Sequence, residues 1–436
     1  MTIFRRIPNV LALTLVAIGV TSLQCPADDP PVQPNIPNSN SNSNSKSASD
    51  MDSNKALVRG NTRFALDLYR RLKGDGNLFF SPNGVSEALA ICFEGARGAT
   101  AAQMAEVLGF PEGGSRLGER FQRLRQAGVD LNSDAVTFKS ANSLWSQVPL
   151  KSDFESDVQD EYDAEVFEVD FGSPASHEEV RQWVRTQTDG AAELPAESLS
   201  DPLLRLLVIN TLLFKASWAQ QFDSDLTSNN PFELIDGTSR NVPTMWLKGG
   251  FRHRAWDDLE ILELPYSGGR ASAFILLPAK SDSESDDPTE AVSPLEHLED
   301  TLTAAELGDR LNELSSKSLK VYLPRFSITS NLSLAGALQA MGMSLPFQLD
   351  ADFSGITDAD RLNIGEVLQD ARIDFDEGGT EASVVTVVTM MGRGSSQSPT
   401  RQPAVFKADR PFMFLVRENA TGSILFMGRV TEPIDD

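Results

Sequence analysis

The chain opens on an apolar run, Val10 to Val20, then carries almost no apolar side chains until Asn54, where hydrophobic positions begin to recur at helical spacing. Phe64, Leu68 and Leu72 predict a first helix that Gly74 closes. NLFF, from Asn77 to Phe80, predicts a short strand, and Ser81 followed by Pro82 predicts the start of the next helix. Thr100 and Gln103 have the spacing of a capping box ahead of Met104, Val107 and Leu108. EVFEVDF alternates, with Phe167, Val169 and Phe171 on one face of a half-buried strand. Leu203 to Phe214 is apolar without period, as in a strand buried on both faces. ASAFILLP, LKVYLPRFSIT and a closing pair in RPFMFLVRENATGSILFMGRV predict further strands. Strands and helices are interspersed without βαβ rhythm or internal repeat, so the expected class is α+β with mostly antiparallel sheets.

The apolar run follows Arg5 and Arg6 and precedes small residues, the pattern of a removable export signal spanning residues 1–27. It is short for a membrane span. Cleavage after Ser22 or Ala27 and lipid attachment at Cys25 both remain open. Residues 28–53, Pro-rich and then Asn/Ser-rich, have nothing to bury and read as a disordered spacer before one domain over 54–436. The acidic stretch between Pro278 and Leu295 reads as a solvated loop.

Composition narrows the partners. The chain has 436 residues, 40% of them hydrophobic, enough for a large core. With 38 Lys and Arg against 62 Asp and Glu, its formal charge of -24 repels nucleic acid and anionic lipid. Only Cys25 and Cys92 occur, so no disulfide is expected in the mature domain, and Cys92 reads as a small buried hydrophobe. The three histidines, His177, His253 and His297, lack the company a catalytic site needs and read as surface residues. Motifs for a hydrolase elbow, a phosphate loop or paired metal cysteines are missing from the sequence, which leaves a carboxylate-pair glycosidase as the weak enzyme alternative. No cofactor or metal is expected, and a monomer is.

Residues 376–403, DEGGTEASVVTVVTMMGRGSSQSPTRQP, combine three properties. Gly378 and Gly379 supply a pivot, and Thr380, Glu381, Ala382 and Ser383 are small or short. Val384, Val385, Thr386, Val387, Val388, Thr389, Met390 and Met391 have the character of a strand inside a sheet. Gly392, Arg393 and Gly394 then set one long cation on an unhindered backbone, suited to a protease cleft. Thr380, Ala382, Val384, Thr386, Val388 and Met390 share one face by period two, and none is charged.

EGGTEAS resembles the reactive-loop hinge of the serpins, and FKADRPFMFLVRENATGSILFMGRV resembles that family's C-terminal signature. NLFFSPNGVSEALAICFEGARGAT, VINTLLFKASW, VPTMW, LPRFSIT and DFSGIT resemble serpin segments in the same order, so the likeness covers about Asn54 to Glu432. It implies the serpin fold: a large, mostly antiparallel main sheet, two smaller sheets, eight or nine helices and an exposed reactive-centre loop, here 377–403.

The resemblance also implies function. In inhibitory serpins the scissile bond follows the residue sixteen positions after the hinge glutamate; counting from Glu377, that residue is Arg393. A trypsin-like serine protease would take this arginine in its acidic pocket and become acylated. Residues 380–391 would then enter the main sheet, the loop insertion that is itself a general example of strand addition. The native fold would be a kinetic trap. A non-inhibitory carrier or chaperone on the same fold is the alternative.

Further positions follow by resemblance. Glu377 pairs with Arg325 where the loop meets the sheet, unless Arg325 is an ordinary solvated cation, and Trp218 packs nearby. Gln369 stands where many serpins place a histidine at the sheet's opening. The segment 394–403 is longer than usual and holds a second basic residue, Arg401; cleavage there would leave eight extra residues before the acyl link, so that bond should behave as an ordinary substrate. Arg116, Arg120 and Arg123 share a helical face near where some serpins bind sulfated polysaccharide, although a solvated face is the simpler reading.

Overall fold

The computed structural model describes residues 10–22, 46–111, 116–194, 196–280, 293–378 and 403–434. The first half runs β1 (Val10–Ser22), α1 (Lys46–Leu72), β2 (Leu78–Phe80), α2 (Pro82–Gly95), α3 (Gly98–Leu108), α4 (Leu117–Val129), β3 (Val136–Ser146), α5 (Ser152–Tyr162), β4 (Ala164–Glu168) and α6 (Pro174–Gln187). There follow β5 (Leu204–Ala216), β6 (Ser228–Glu233), β7 (Ser239–Ala255), β8 (Leu259–Pro265), β9 (Ala271–Pro278), α7 (Pro294–Thr301) and α8 (Ala304–Asn312). The rest is β10 (Ser315–Pro324), β11 (Phe326–Ser333), α9 (Ala335–Ala340), β12 (Leu362–Phe375), β13 (Ala404–Lys407), β14 (Phe412–Glu418) and β15 (Ile424–Val430).

One sheet has six strands in the order β11-β12-β1-β5-β3-β4, antiparallel except for the last pair. The other strands form a second continuous sheet rather than two smaller ones. The reason is the 17-residue β7, which pairs with β10 along Thr244–Pro324 to His253–Ser315 and passes on to β8 through His253–Ala255. β14 and β15 form the expected closing hairpin.

The long apolar strand β5 shows why the six-stranded sheet is covered on both faces. Leu206 and Val208 join the core beneath α1 and α2, whereas Leu207 and Ile209 join Val180, Trp183 and Val184 of α6 on the other side. Ser81 caps α2 as expected, its Oγ accepting from Gly84 N at 3.0 Å. The capping box expected at Thr100 and Gln103 is absent. α3 starts at Gly98, and both side chains are spent on long-range contacts: Thr100 Oγ1 accepts from Asp352 N and Gln103 Oε1 from Leu345 N. α1 begins at Lys46, earlier than expected, so the spacer's last residues extend a helix anchored by buried Leu57 and Phe64. Gly60 of α1 lies against Gly109, φ +69°, where an added Cβ would meet backbone at 2.0 Å.

Cys92 is wholly buried and burial pushes its thiol up to about 12, which makes it an inert hydrophobe. His253 is a correction: it is 5% exposed, inward on β7 beside Phe251, with Nε2 3.3 Å from Glu260 Oε2 and its ring edge-on to Phe406. His177 is half-buried and His297 exposed. Among the described residues no helix is long and apolar enough to cross a membrane.

Candidate functional site

β12 delivers the chain to the hinge, and its last residue sits in an aromatic stack. Phe375 lies flat on Phe326, centroids 4.9 Å apart, and tilted against Trp218 at 4.8 Å; Trp218 in turn stacks on Tyr266 at 4.6 Å. Trp218 Nε1 donates to Asp376 O at 2.9 Å, so the expected packing of Trp218 near the hinge takes the form of a hydrogen bond to its backbone. The next two residues are tied as well. Phe222 N donates to Glu377 O at 3.0 Å, Gln221 Nε2 to Gly378 O at 2.8 Å, and Gly378 N to Asp376 Oδ1 at 2.9 Å.

Arg325 Nη1 lies 3.6 Å from Glu377 Oε2, and Thr227 Oγ1 donates to Glu377 Oε1. Glu377 is 8% exposed, so its charge is held by a partly buried pair rather than by solvent. Gln221, Phe222 and Thr227 had no signal in the sequence. They reach the hinge because the turn after β5 doubles back over the end of β12.

From Gly379 onward the notable residues lie outside those described: Gly379, Thr380, Glu381, Ala382, Ser383, Val384 to Met391, Arg393, Gly394 and Arg401. So does Cys25, and so does most of the acidic loop. Arg116 and Arg123 bracket Glu119, at 4.0 and 3.4 Å, which makes a mixed face rather than a cationic one.

Gln369 of β12 is fully buried and grips the backbone of Ser81 twice: Ser81 N donates to its Oε1 at 3.2 Å, and its Nε2 donates to Ser81 O at 3.1 Å. A neutral amide thus clasps β12 to the cap of α2 at the sheet's centre. On the other side, Asn210 of β5 donates to Asn142 Oδ1 of β3 at 2.8 Å, and Asn142 Nδ2 reaches Glu87, which also holds Arg125. Asn210 Oδ1 is buried and receives no donor among the described residues.

The place between Gln369 and Asn210 is filled. β1 runs antiparallel to both β12 and β5, and Val16 sits directly opposite both Gln369 and Asn210. Val16, Ile18 and Val20 are wholly buried in the core beneath α2, and Leu15 and Ala17 in the layer beneath α6. The expected leader is therefore a 13-residue central strand, which an uncharged run rich in branched side chains is suited to be.

A cavity of about 1040 Å³ beside α2 and α5 holds a different chemistry. Glu94 lies in it, accepting from Tyr162 OH at 2.7 Å, and burial, followed by Glu161 and Asp157, raises its carboxyl to about 7 from 4.5. The folded chain thus binds a proton there that the unfolded chain has released, so this group's contribution weakens as pH rises from about 4.5 to 7. Thermal midpoints should fall across that window, and Glu94→Gln should flatten the fall; an unchanged pH profile would refute it. Among the described residues no cluster of three or more His, Cys, Asp or Glu could hold a metal.

The hinge geometry, the buried glutamate and the six-stranded sheet define a class. The chain matches the family described as Serpin (serine protease inhibitor) over residues 59–433 and belongs to that family. It is 36% identical to an uncharacterized serpin-like protein of Thermococcus kodakarensis, over 87% of each chain. It is 33% identical to the leukocyte elastase inhibitor of Equus caballus, covering 86% of this chain and 99% of that one. Among solved structures it resembles human thyroxine-binding globulin in a complex with thyroxine (TM-score 0.74, 26% identity, 88% of this chain and 100% of that one). It also resembles uncleaved ovalbumin (TM-score 0.72, 27% identity, 87% and 100%).

Proposed function

We propose that the protein is an exported suicide-substrate inhibitor of a trypsin-like serine protease, with Arg393–Gly394 as the bait bond. The observation that carries this reading is the strand slot itself. The chain leaves β12 tied down at 376–378, immediately beside a position between β12 and β5 that takes one strand antiparallel to both. A strand continuing from β12 through a turn would enter in that orientation.

The register supports it residue by residue. With 376–379 as a four-residue turn, Thr380 falls opposite Phe375, Ala382 opposite Ile373, Val384 opposite Ala371, Thr386 opposite Gln369 and Val388 opposite Val367. These uncharged side chains then share the face on which Val367, Ile373 and Phe375 are wholly buried, and Glu381 takes the other face. Thr386 replaces Val16 beside Asn210 and brings a hydroxyl to the undonated Oδ1.

The chemistry is ordinary acyl transfer. The protease serine attacks the Arg393 carbonyl, an ester to Arg393 forms, and the amine of Gly394 leaves with a proton from the protease's general acid. Twelve residues at about 3.3 Å each then give a strand roughly 40 Å long, which carries the attached protease away from its starting place. Incubation of the chain lacking residues 1–27 with a panel of arginine-directed proteases should give an SDS-stable band, and the mass of the released fragment should place the cut after Arg393. Arg393→Ala should abolish the band; its persistence, or a cut confined to Arg401, would refute the assignment.

A carrier function has one observation in its favour, a cavity of about 1000 Å³ between α1 and α8 lined by Arg59, Arg63, Arg70, Leu307, Leu311 and Ile424. Loop cleavage that leaves the thermal midpoint unchanged would favour that reading over inhibition.

A further inference from the structure

β1 occupies the slot proposed for the reactive loop. It pairs along its length with β12, from Leu11–Asp374 to Ser22–Leu362, and with β5, from Val10–Ala216 to Thr21–Leu204. Its side chains are buried on both faces, Val16, Ile18 and Val20 in one core cluster and Leu15 and Ala17 in another. An occupied slot cannot take a second strand, because the facing edges of β5 and β12 are already paired with β1 apart from the two register slips.

The same residues carry the sequence pattern of a removable export leader, an uncharged apolar run after a basic start. These two roles exclude each other in time: the segment is a sheet strand only while it remains attached. The fit also bears marks of a replaceable occupant. The ladder slips at Gly19/Val20 against β12 and at Val20/Thr21 against β5, and Val16 leaves Asn210 Oδ1 without a donor.

We propose that Val10–Ser22 is an internal plug of the strand slot between β5 and β12, which keeps the unprocessed chain from inserting its loop and is withdrawn when the leader is removed. This rests on the inhibitor reading for its consequence, although the plug itself is independent of it. The precursor is a filled, inert sheet, and removal of residues 1–27 vacates the slot, so that the edges of β5 and β12 that β1 had paired become open to exchange.

The test compares the full chain with a chain lacking residues 1–27. Amides of 204–216 and 362–375 should exchange at least roughly ten-fold more slowly in the full chain, and its thermal midpoint should be higher. Ile18→Cys with Val367→Cys, directly opposite in register, should cross-link in a Cys25→Ala background, whereas Ile18→Cys with Arg372→Cys should not. The oxidised full chain should give less than about a tenth of the covalent trypsin complex given by the shortened chain. Equal exchange in both chains, or equal cross-linking of both cysteine pairs, would overturn the plug. Protected amides and selective cross-linking without a covalent complex from either chain would uphold the plug and overturn the inhibitor reading instead.

Discussion

Ala382→Arg should convert the protein from a trap into a substrate: the protease still cuts after Arg393, but the SDS-stable complex is lost. In the register derived above, residue 382 lies opposite Ile373, on a face where Ile373 and Phe375 are wholly buried. An arginine there enters the core with no partner, and an uncompensated buried charge costs about 3 kcal/mol or more. Since about 1.4 kcal/mol is a factor of ten, insertion should lose to hydrolysis of the acyl link by more than roughly 100-fold. Glu381→Arg is the control. Its row is that of Asp374, which is half-exposed, so the complex should survive. Both are read on a gel as the ratio of covalent to cleaved product, and loss of the complex in the control as well would refute the register.

The second large effect concerns stability. Arg429 of β15 and Glu299 of α7 are each 1% exposed, and Arg429 Nη1 lies 3.1 and 3.2 Å from the two carboxylate oxygens. Tyr69 OH donates to the same carboxylate at 2.5 Å, and Lys73 Nζ lies 3.5 Å away. Burial, and then the neighbouring carboxylate, push the Tyr69 hydroxyl well above its usual range, so it stays a donor. Glu299→Ala leaves buried Arg429 without its carboxylate, with the carbonyls of Gly74 and Gly76 still accepting from it, and should cost about 3–5 kcal/mol, a fall in thermal midpoint of roughly 4–6 °C for a domain of this size. Glu299→Leu with Arg429→Met should recover most of this, because the charges leave together. A double variant as unstable as the single one would show that the pair does more than cancel its own desolvation.

Several features could be read without coordinates because the physics behind them is local. A capped helix start at Ser81, a two-sided apolar strand at Leu204–Ala216 and a closing hairpin are each decided by residues within about one element of each other. The family likeness of the hinge and the C-terminal segment is likewise carried by contiguous residues, as is the proposed bait sequence around Arg393.

Where long-range partners compete for a side chain, local reading failed. Thr100 and Gln103 have capping-box spacing, yet residues more than 200 positions away claim both. His253 looked like a surface residue between two arginines until β7 turned it inward. The clasp of Gln369 on Ser81 and the support of the hinge by Gln221, Phe222 and Thr227 are contacts between distant segments that no spacing encodes.

The apolar run at the start of the chain marks the boundary between the two kinds of knowledge. Its sequence determined only that Val10–Val20 must leave water, since hydrophobic transfer is non-directional and does not specify a destination. The tertiary structure decided where it goes, because the opposed edges of β5 and β12 offer it backbone donors and acceptors on both sides along with apolar cover on both faces.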